Sequence, residues 1–489
     1  TYEDVTNIDS VGIITARSNI LVGSGITLSP DGDVFVTGIS TFSEGIADDI
    51  TINSITVGKG TNSQSGNTVL GENALDAAVT GTNNTAIGKN AMTDLTSATG
   101  STAVGVDALK ELTTGNGNTA VGKSALAAVT TGHSNVAIGD EAAKALLGNA
   151  NVAIGDEALK TNTTGANNVA IGNDALKLSD TSGNNTAVGA EALAANTTGT
   201  ENTAIGYDAL TLNTTGSYNT ALGAYALDAN TTAIVCTALG WGALSSNTTG
   251  AQNTAVGANS LQLNTTGGYN VALGRQALQN NTTADNNTGL GYQALTANTT
   301  GDRNTAVGAL ALDANTTANL NTAIGYAALG ANTDGFSNTS VGAISLDANT
   351  TGDYNTGLGY ETLSTNTTGD NNTAVGGSAL RDNTTASNNT GVGFNALLVN
   401  TTGAYNTAVG GYALDANTTA SNNTAFGWGS LSENTTGSSN TALGLRALRA
   451  NTTSSNNNAV GYYALDANTT GENNNAFGRG ALVTNTTSN

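Results

Sequence analysis

Hydrophobic and polar positions recur at a short, fixed interval along most of this 489-residue chain. The unit reads N-T-A-[VIL]-G-x-x-A-L-x-x-N-T-T-G-x-x, and its first glycine occurs 25 times between Gly71 and Gly478, with a single shortened interval between Gly139 and Gly155. A unit this short cannot enclose a core alone and becomes stable only when it stacks on its neighbours. The period therefore predicts an all-β fold, a parallel β-solenoid (β-roll) of 25 coils. At one strand spacing per coil, the rod would be on the order of 120 Å long.

The residue types around this glycine predict which side chains are enclosed. With the glycine as position 0, position −1 is apolar in every coil, and position −3 is Thr or Val in all coils except the last two. Because alternate residues of a strand share one face, we expect positions −1 and −3 to line the interior together with the Leu of position +4. The recurrent Gly, Ala, Leu and Asn residues at positions 0, +3, +4 and +7 have the spacing of one helix face, which favours a single helical turn after the strand. A short second strand is the alternative.

Positions −2 and −4 would then lie on the outer face. Position −2 is Ala in 20 copies, and a position that stays small suggests that another backbone approaches closely. We interpret it as the contact face of a homotrimer, represented by Ala204, Ala255, Ala306, Ala374 and Ala425. Position −4 is Asn in 23 copies, which predicts a ladder of stacked Asn side chains. Cys236 replaces one rung and is interpreted as a tolerated small substitution.

The chain divides into three segments by sequence pattern. Residues 1–66 lack the period, contain short β-branched runs and a Ser-Pro-Asp-Gly turn, and predict a small β module that caps the first coil. Residues 67–189 form early, degenerate coils that carry Lys residues. Residues 190–489 form regular coils with the Asn-Thr-Thr-Gly sequence and with aromatic residues.

Composition narrows the functional classes. Asp and Glu outnumber Lys and Arg by 36 to 14, so the net charge of −22 disfavours nucleic acid and anionic membranes as partners. The chain has one His, His133, and one Cys, with no spacing typical of a catalytic triad or of paired carboxylates. We therefore expect a non-enzymatic protein without catalytic residues, cofactor or metal site. No apolar run approaches the ~18 residues of a membrane span.

Aromatic residues at position +1 are the candidates for recognition, because rows of aromatic rings on a rod can stack on sugars. The candidate glycan-binding residues are Tyr207, Trp241, Tyr292, Tyr326, Tyr360, Phe394, Trp428 and Tyr462. The alternative is that these rings cover a corner of the coil and pack on neighbouring coils, which their dispersal along the rod favours.

Three other repeated features have simpler interpretations. The Asn-Thr-Thr sequences are formally N-glycosylation acceptors but are interpreted as turn residues. The recurrent Asp at position +5 is interpreted as solvated surface rather than as a metal row. Rows of Thr also occur in ice-binding surfaces, but two adjacent Thr residues of one strand would point to opposite faces, which disfavours that function.

The N-T-A-[VI]-G-x-x-A-L unit over residues 67–489 resembles the head repeats of trimeric autotransporter adhesins, which build a left-handed parallel β-roll in a three-chain rod. Two opening segments, 4–17 (DVTNIDSVGIITAR) and 25–33 (GITLSPDGD), are similar to segments in fibre proteins of marine cyanobacterial phages. Together these resemblances imply a homotrimeric phage tail or virion fibre. Such a fibre is an extracellular structural rod that provides or presents adhesion to a host-surface glycan. Its N-terminal module would join other virion or tail proteins.

Two alternatives stay open at this point. One is the head of a bacterial surface adhesin of the trimeric autotransporter type, located on the cell surface. The other is a purely structural extracellular filament without receptor binding.

Overall fold

The computed structural model describes residues 50–52, 54–60 and 62–488, and within them every regular element is a β-strand. The predictions made for residues 1–49 lie outside the described residues. The strands are β1 (Ile50–Ile52), β2 (Ile55–Gly58), β3 (Thr68–Gly71), β4 (Thr85–Ile87), β5 (Thr102–Val104), β6 (Thr119–Val121), β7 (Val136–Ile138), β8 (Val152–Ile154), β9 (Val169–Ile171), β10 (Thr186–Val188), β11 (Thr203–Ile205), β12 (Thr220–Leu222), β13 (Thr237–Leu239), β14 (Thr254–Val256), β15 (Val271–Leu273), β16 (Thr288–Leu290), β17 (Thr305–Val307), β18 (Thr322–Ile324), β19 (Thr339–Val341), β20 (Thr356–Leu358), β21 (Thr373–Val375), β22 (Thr390–Val392), β23 (Thr407–Val409), β24 (Thr424–Phe426), β25 (Thr441–Leu443), β26 (Asn458–Val460) and β27 (Asn475–Phe477).

These strands form one sheet of 27 strands. From β3 to β27 each strand pairs in parallel with the next at the same repeat position, as in the pairing of Ala204 with Ala221. At the start, β1 and β2 form an antiparallel hairpin, and β2 pairs antiparallel with β3. The predicted parallel β-solenoid, with one repeat unit per coil, is therefore confirmed. The hairpin covers the strand edge that the first coil would otherwise leave open.

The helical turn expected after each strand is absent from the described coils. Positions +2 and +4 instead adopt the left-handed conformation, as at Asp208 (φ 54°) and Leu210 (φ 54°). The N–H of Leu210 donates to the carbonyl of Ala226 in the next coil, at 3.0 Å, and the N–H of Asp208 donates to Ala190 in the previous coil, at 3.1 Å. Many backbone groups of the turn are thus satisfied between coils, whereas a helical turn would satisfy them within one coil.

The prediction of which strand face is enclosed was wrong. The Ala of position −2 and the Asn of position −4 are buried, whereas many side chains of position −1 are exposed, as at Leu222 (43%). The predicted contact residues between chains are all fully buried inside the coils of one chain: Ala204, Ala255, Ala306, Ala374 and Ala425. The prediction that the Leu of position +4 points inward is confirmed, because Leu210 and its equivalents are fully buried in every coil but the last, where Leu482 is exposed.

Position −2 stays small because the coil interior is narrow. At Gly289, where glycine occupies this position, a Cβ atom would lie 3.2 Å from the carbonyl oxygen of Ala294 and 3.3 Å from Cγ of Leu278. A methyl group already fills the space between the strand and the turn, so a larger side chain would overpack it. The coil's own backbone and its Leu therefore explain the small residue, without a second chain.

Two ladders of buried Asn run through the interior. At position −4, Asn202 donates its backbone N–H to Oδ1 of Asn185 at 2.9 Å and its Nδ2 to the carbonyl of Gly216 at 2.9 Å. At position +7, Asn213 donates from Nδ2 to Oδ1 of Asn196 at 2.8 Å and to Gly216 at 3.0 Å. The predicted Asn ladder is confirmed, and the Asn of the Asn-Thr-Thr sequence forms a second one.

Cys236 fits into the first ladder as a substitute rung. Its backbone N–H donates to Oδ1 of Asn219 at 2.9 Å, and its Sγ lies 3.3 Å from the carbonyl oxygen of Gly250. The side chain is buried, and this burial raises the pKa of the thiol. A buried thiol of raised pKa has little thiolate character, so the geometry fits a tolerated substitution rather than a reactive group.

Candidate binding surfaces

The outer face of the sheet carries two uncharged columns, formed by positions −3 and −1 of every coil. Position −3 supplies Thr, Val or Asn, and position −1 supplies Val, Ile, Leu or Phe, with no charged residue in either column. Side chains of position −1 are well exposed, as at Leu239 (41%) and Phe426 (54%). An uninterrupted apolar column along the whole sheet is unusual for a surface exposed to water and is typical of an interaction surface.

The Asn-Thr-Thr sequences contribute to the interior and to the ladder rather than to a modification site. Asn213 is fully buried, and its Nδ2 makes the two hydrogen bonds described above. The first Thr donates its hydroxyl hydrogen to the next coil, as from Thr214 to the carbonyl of Thr231 at 3.0 Å. In the folded chain this Asn is therefore inaccessible to a glycosylating enzyme.

The eight candidate aromatic residues of position +1 all lie exposed at one corner of the coils, with 46–57% of their surface accessible. They do not form a continuous row. Tyr292, Tyr326 and Tyr360 lie on alternate coils. Where rings of this corner do touch, a ring of position +1 contacts the Tyr of position +2, and these contacts form three separate groups.

The first group is Tyr207, Tyr225 and Trp241, from three consecutive coils. The rings of Tyr207 and Tyr225 pack edge to face with centroids 5.5 Å apart, and those of Tyr225 and Trp241 do so at 6.4 Å. The acidic side chains nearest in sequence are Asp208 and Asp228. Burial raises the pKa of Asp228 to about 6, against the opposing effect of hydrogen bonds from backbone N–H groups.

The second group is Phe394, Tyr412 and Trp428, again from three consecutive coils. Centroid distances are 5.5 Å between Phe394 and Tyr412 and 5.9 Å between Tyr412 and Trp428. Burial raises the pKa of Asp415 to about 6, and the negative charge of Glu433 adds to the rise. The region beside Trp428 is an open depression of about 370 Å³ lined by Tyr412, Asp415, Trp428, Gly429, Ser432, Arg446 and Arg449.

The third group, near the end of the described coils, is dominated by cations. The rings of Tyr462 and Tyr463 are 4.3 Å apart, and the guanidinium of Arg446 lies 5.3 Å from the ring centroid of Tyr463. Arg446 also donates to the Tyr463 hydroxyl at 3.1 Å, and this bond lowers the pKa of that phenol. Arg479 lies 5.4 Å from the Tyr462 ring. These rings pack on guanidinium groups of neighbouring coils, as the alternative to glycan binding predicted.

The Asp residues of position +5 were expected to be solvated surface, but several of them are partly buried. Besides Asp228 and Asp415, burial raises the pKa of Asp313 and Asp347. Asp466 instead accepts a bond from Nε of Arg449 at 2.9 Å. Within the described residues, no group of three His, Cys, Asp or Glu side chains is arranged to hold a metal ion.

A second aromatic corner was missed by the sequence reasoning. Exposed tyrosines occupy position −5 of four coils, at Tyr218, Tyr269, Tyr354 and Tyr405. The ring of Phe336 packs edge to face on Tyr354 with centroids 5.0 Å apart. The signal was present in the sequence, because all four tyrosines share one repeat position.

The early coils carry a ladder of ion pairs along the same corner as the three aromatic groups. Lys160 bridges Glu141 and Glu157 at 2.6 Å each, and Lys177 bridges Glu157 at 2.6 Å and Asp174 at 3.2 Å. Hydrogen bonds from Lys144 and Lys160 lower the pKa of Glu141 to about 2. The pairs are partly exposed, so their contribution to stability is modest and falls with salt.

No protein-family model matches the sequence, and no curated protein matches it. Among the described residues, none lies in a helix that is long and apolar enough to cross a membrane.

Proposed function

We propose that this chain is the rod of a homotrimeric fibre of a phage tail or virion, located outside the cell and acting as a structural spacer that provides host-surface adhesion. It carries no enzymatic activity in this proposal. The solenoid supports the proposal because stacked coils give reach at a constant cross-section. The resemblance of residues 67–489 to trimeric adhesin heads supports the trimeric assembly, and that of the opening segments to phage fibres supports the location.

The observation that best supports a trimeric assembly is the uncharged outer face of the sheet. Summed over 25 coils, the position −1 side chains expose on the order of 1,500 Å² per chain, above the ~800 Å² that each partner contributes to a standard stable interface. The remainder of the chain is strongly acidic, with a net charge of −22. Copies of such a chain would repel one another except at a face that is free of charge. The chain contact is therefore assigned to positions −3 and −1, in place of the buried alanines.

Light scattering of the purified chain tests the assembly, and immunogold labelling tests the setting. Antibodies against the coils should decorate virus particles from a producing culture and not the surface of uninfected cells. A monodisperse monomer, or label confined to bacterial surfaces, would contradict the corresponding part of the proposal.

The bacterial surface adhesin is the second candidate, favoured only by the resemblance of the coil repeat. The filament without a receptor is the third candidate. Adsorption of the purified fibre to host cells separates this candidate from the two adhesins.

A further inference from the structure

One arrangement of side chains occurs twice along the rod, within residues 207–245 and again within residues 394–432. Each copy has an aromatic residue at +1 in one coil, Tyr at +2 and Asp at +5 in the next, and Trp at +1, Gly at +2 and Ser at +5 in the third. The two copies are Tyr207, Tyr225, Asp228, Trp241, Gly242 and Ser245, and Phe394, Tyr412, Asp415, Trp428, Gly429 and Ser432. The separation equals eleven coils, and no other three-coil stretch of the sequence has this combination.

The two Trp rings are held in place yet exposed. Trp241 and Trp428 keep 55% and 53% of their surface accessible, although each packs edge to face on a Tyr. All eight candidates of position +1 are exposed to a similar extent, so what distinguishes the two Trp residues is a large exposed ring combined with an edge-to-face contact to a Tyr of the previous coil. The edge-to-face contact fixes the ring orientation and leaves the ring available as a platform.

A glycine follows each Trp directly, and at Gly242 the side chain of Asn259 takes the place next to the ring, because a Cβ atom there would lie 2.9 Å from Oδ1 of Asn259. Position +2 carries a side chain in all coils but three, whereas Gly242 and Gly429 follow the two Trp residues directly. Both adopt a left-handed conformation, with φ of 62° and 60°. At Gly429 the missing side chain exposes part of the depression of about 370 Å³ described above.

Sheltered polar atoms without partners occur at equivalent repeat positions in both copies. In the first copy, Oδ1 of Asp228 and Oδ1 of Asn259 lack a hydrogen-bond partner among the described residues, as does Oδ1 of Asp208. In the second, the same holds for Oδ1 of Asp415 and Nε of Arg446. Asn259 and Arg446 occupy equivalent positions, +2 of the coil after the Trp. Oδ1 of Asp347, at position +5 of a coil outside both copies, also lacks a partner, so what is specific to the two copies is the combination of this Asp with the unpaired atom at +2 of the coil after the Trp. Sheltered polar atoms are normally paired, so this combination points to a ligand that pairs with them.

We propose that Trp241 and Trp428 are the stacking platforms of two equivalent binding sites for pyranose rings of a host-surface polysaccharide. In each site the Trp ring packs against the apolar face of the sugar. The Asp carboxyl group and the side chain at the equivalent of Asn259 or Arg446 pair with its hydroxyl groups. A shallow site with an aromatic floor and a few converging polar groups suits a sugar, which has both kinds of surface. This inference rests on the proposed adhesive function.

The spacing of the sites suits a long repetitive ligand. Eleven coils at ~4.8 Å place the two Trp residues about 53 Å apart on one chain. A polysaccharide strand, or neighbouring strands on a cell surface, can occupy both sites together, so weak single contacts add up to strong attachment. The structure thus assigns recognition to two points rather than to the whole aromatic corner.

Tryptophan fluorescence tests the sites individually, because the chain contains only two Trp residues, one in each. Trp241→Phe leaves Trp428 as the only emitter, and Trp428→Phe does the converse. The probes are bacterial O-polysaccharides and exopolysaccharides, first immobilised as an array and then titrated as soluble fragments. We expect a polysaccharide that is retained on the array and that changes the emission of both single-Trp variants.

The decisive variants are the double substitution Trp241→Ala/Trp428→Ala and the matched control Tyr292→Ala/Tyr326→Ala, which removes two isolated aromatics of the same corner. The first should lower retention at least tenfold, and the second should leave it unchanged, with unaltered circular dichroism in both. Equal loss in the two variants, or unchanged emission during titration, would overturn the proposal. If the fibre adsorbs to host cells and the double Trp variant adsorbs equally well, the two proposed sites are wrong but the adhesive function is retained. If the fibre does not adsorb to host cells at all, the adhesive function itself is contradicted.

Discussion

Gly223 and Gly240 stack so closely that a Cβ atom on Gly223 would lie 2.6 Å from the carbonyl oxygen of Gly240. The backbone of Gly223 has φ of 135°, a conformation that L-residues rarely adopt. The repeated glycine therefore satisfies two requirements at once. It turns the chain at the end of the strand, and it lets successive coils approach to the strand spacing.

Gly223→Ala separates these two requirements when compared with Gly478→Ala. Gly478, in the last coil, has φ of 119°, but a Cβ atom there would meet no atom within 4 Å. We expect Gly223→Ala to lower the stability of the folded rod by roughly 3 kcal/mol or more, because it adds both backbone strain and a steric clash with the next coil. Gly478→Ala should lower it by roughly 1–2 kcal/mol, because it adds backbone strain alone. Thermal melting measures both, and equal effects would show that stacking clearance is irrelevant.

Leu295 and Leu290 test the two faces of one coil. Leu295 is fully buried, whereas Leu290 is 39% exposed on the outer sheet face. Leu295→Asp should destabilise the rod by more than about 4 kcal/mol, because it leaves an unpaired charge in the coil interior. Leu290→Asp should change the free energy of unfolding by less than about 1 kcal/mol relative to the wild-type chain. It should nevertheless weaken the association of chains, as measured by light scattering. Normal trimers of a series of such variants on the outer face would contradict the assignment of the interface.

Cys236→Asn should stabilise the solenoid. In the regular coils Oδ1 of this Asn accepts the backbone N–H of the next coil, as Asn253 does for Asn270 at 2.9 Å. Asn at position 236 would offer the same acceptor to Asn253, with a gain of about 1 kcal/mol. Denaturant melting checks the gain. The unchanged protein provides a second readout, because its buried thiol should react with thiol reagents only on unfolding.

The raised pKa values of Asp228 and Asp415 predict a pH dependence of stability. Each carboxyl group has a pKa of about 6 in the folded chain, above its ordinary value of 3.8. The folded state therefore favours the protonated form of each carboxyl group. The resulting contribution to the free energy of unfolding is fully present below pH 4 and is lost as the pH rises through 6. Asp228→Asn/Asp415→Asn should flatten the decline of the melting temperature between pH 4 and 6. A slope that persists in this variant would assign the decline to other groups.

The sequence by itself determined the solenoid, the number of coils, the parallel register and the inward direction of Leu295, because a constant period places equivalent residues next to each other in stacked coils. The pattern also grouped positions −1 with −3 and −2 with −4, since a strand has a side-chain period of two. It could not say which pair lies inside. Val, Ile and Thr are typical of enclosed positions, yet the interior here is so narrow that Ala and Asn fill it, and only the tertiary structure decided this.

Only the tertiary structure decided the turn and the binding sites. The spacing of Gly206, Ala209 and Leu210 suggested a helix, but hydrogen bonds to the neighbouring coils hold Leu210 in a left-handed conformation. Tyr225 and Trp241 occupy different positions of successive repeats, and stacking alone brings their rings together. A repeat pattern specifies which positions are equivalent. The contacts between unlike positions on successive coils depend on how each coil turns, and they exist only once the rod has formed.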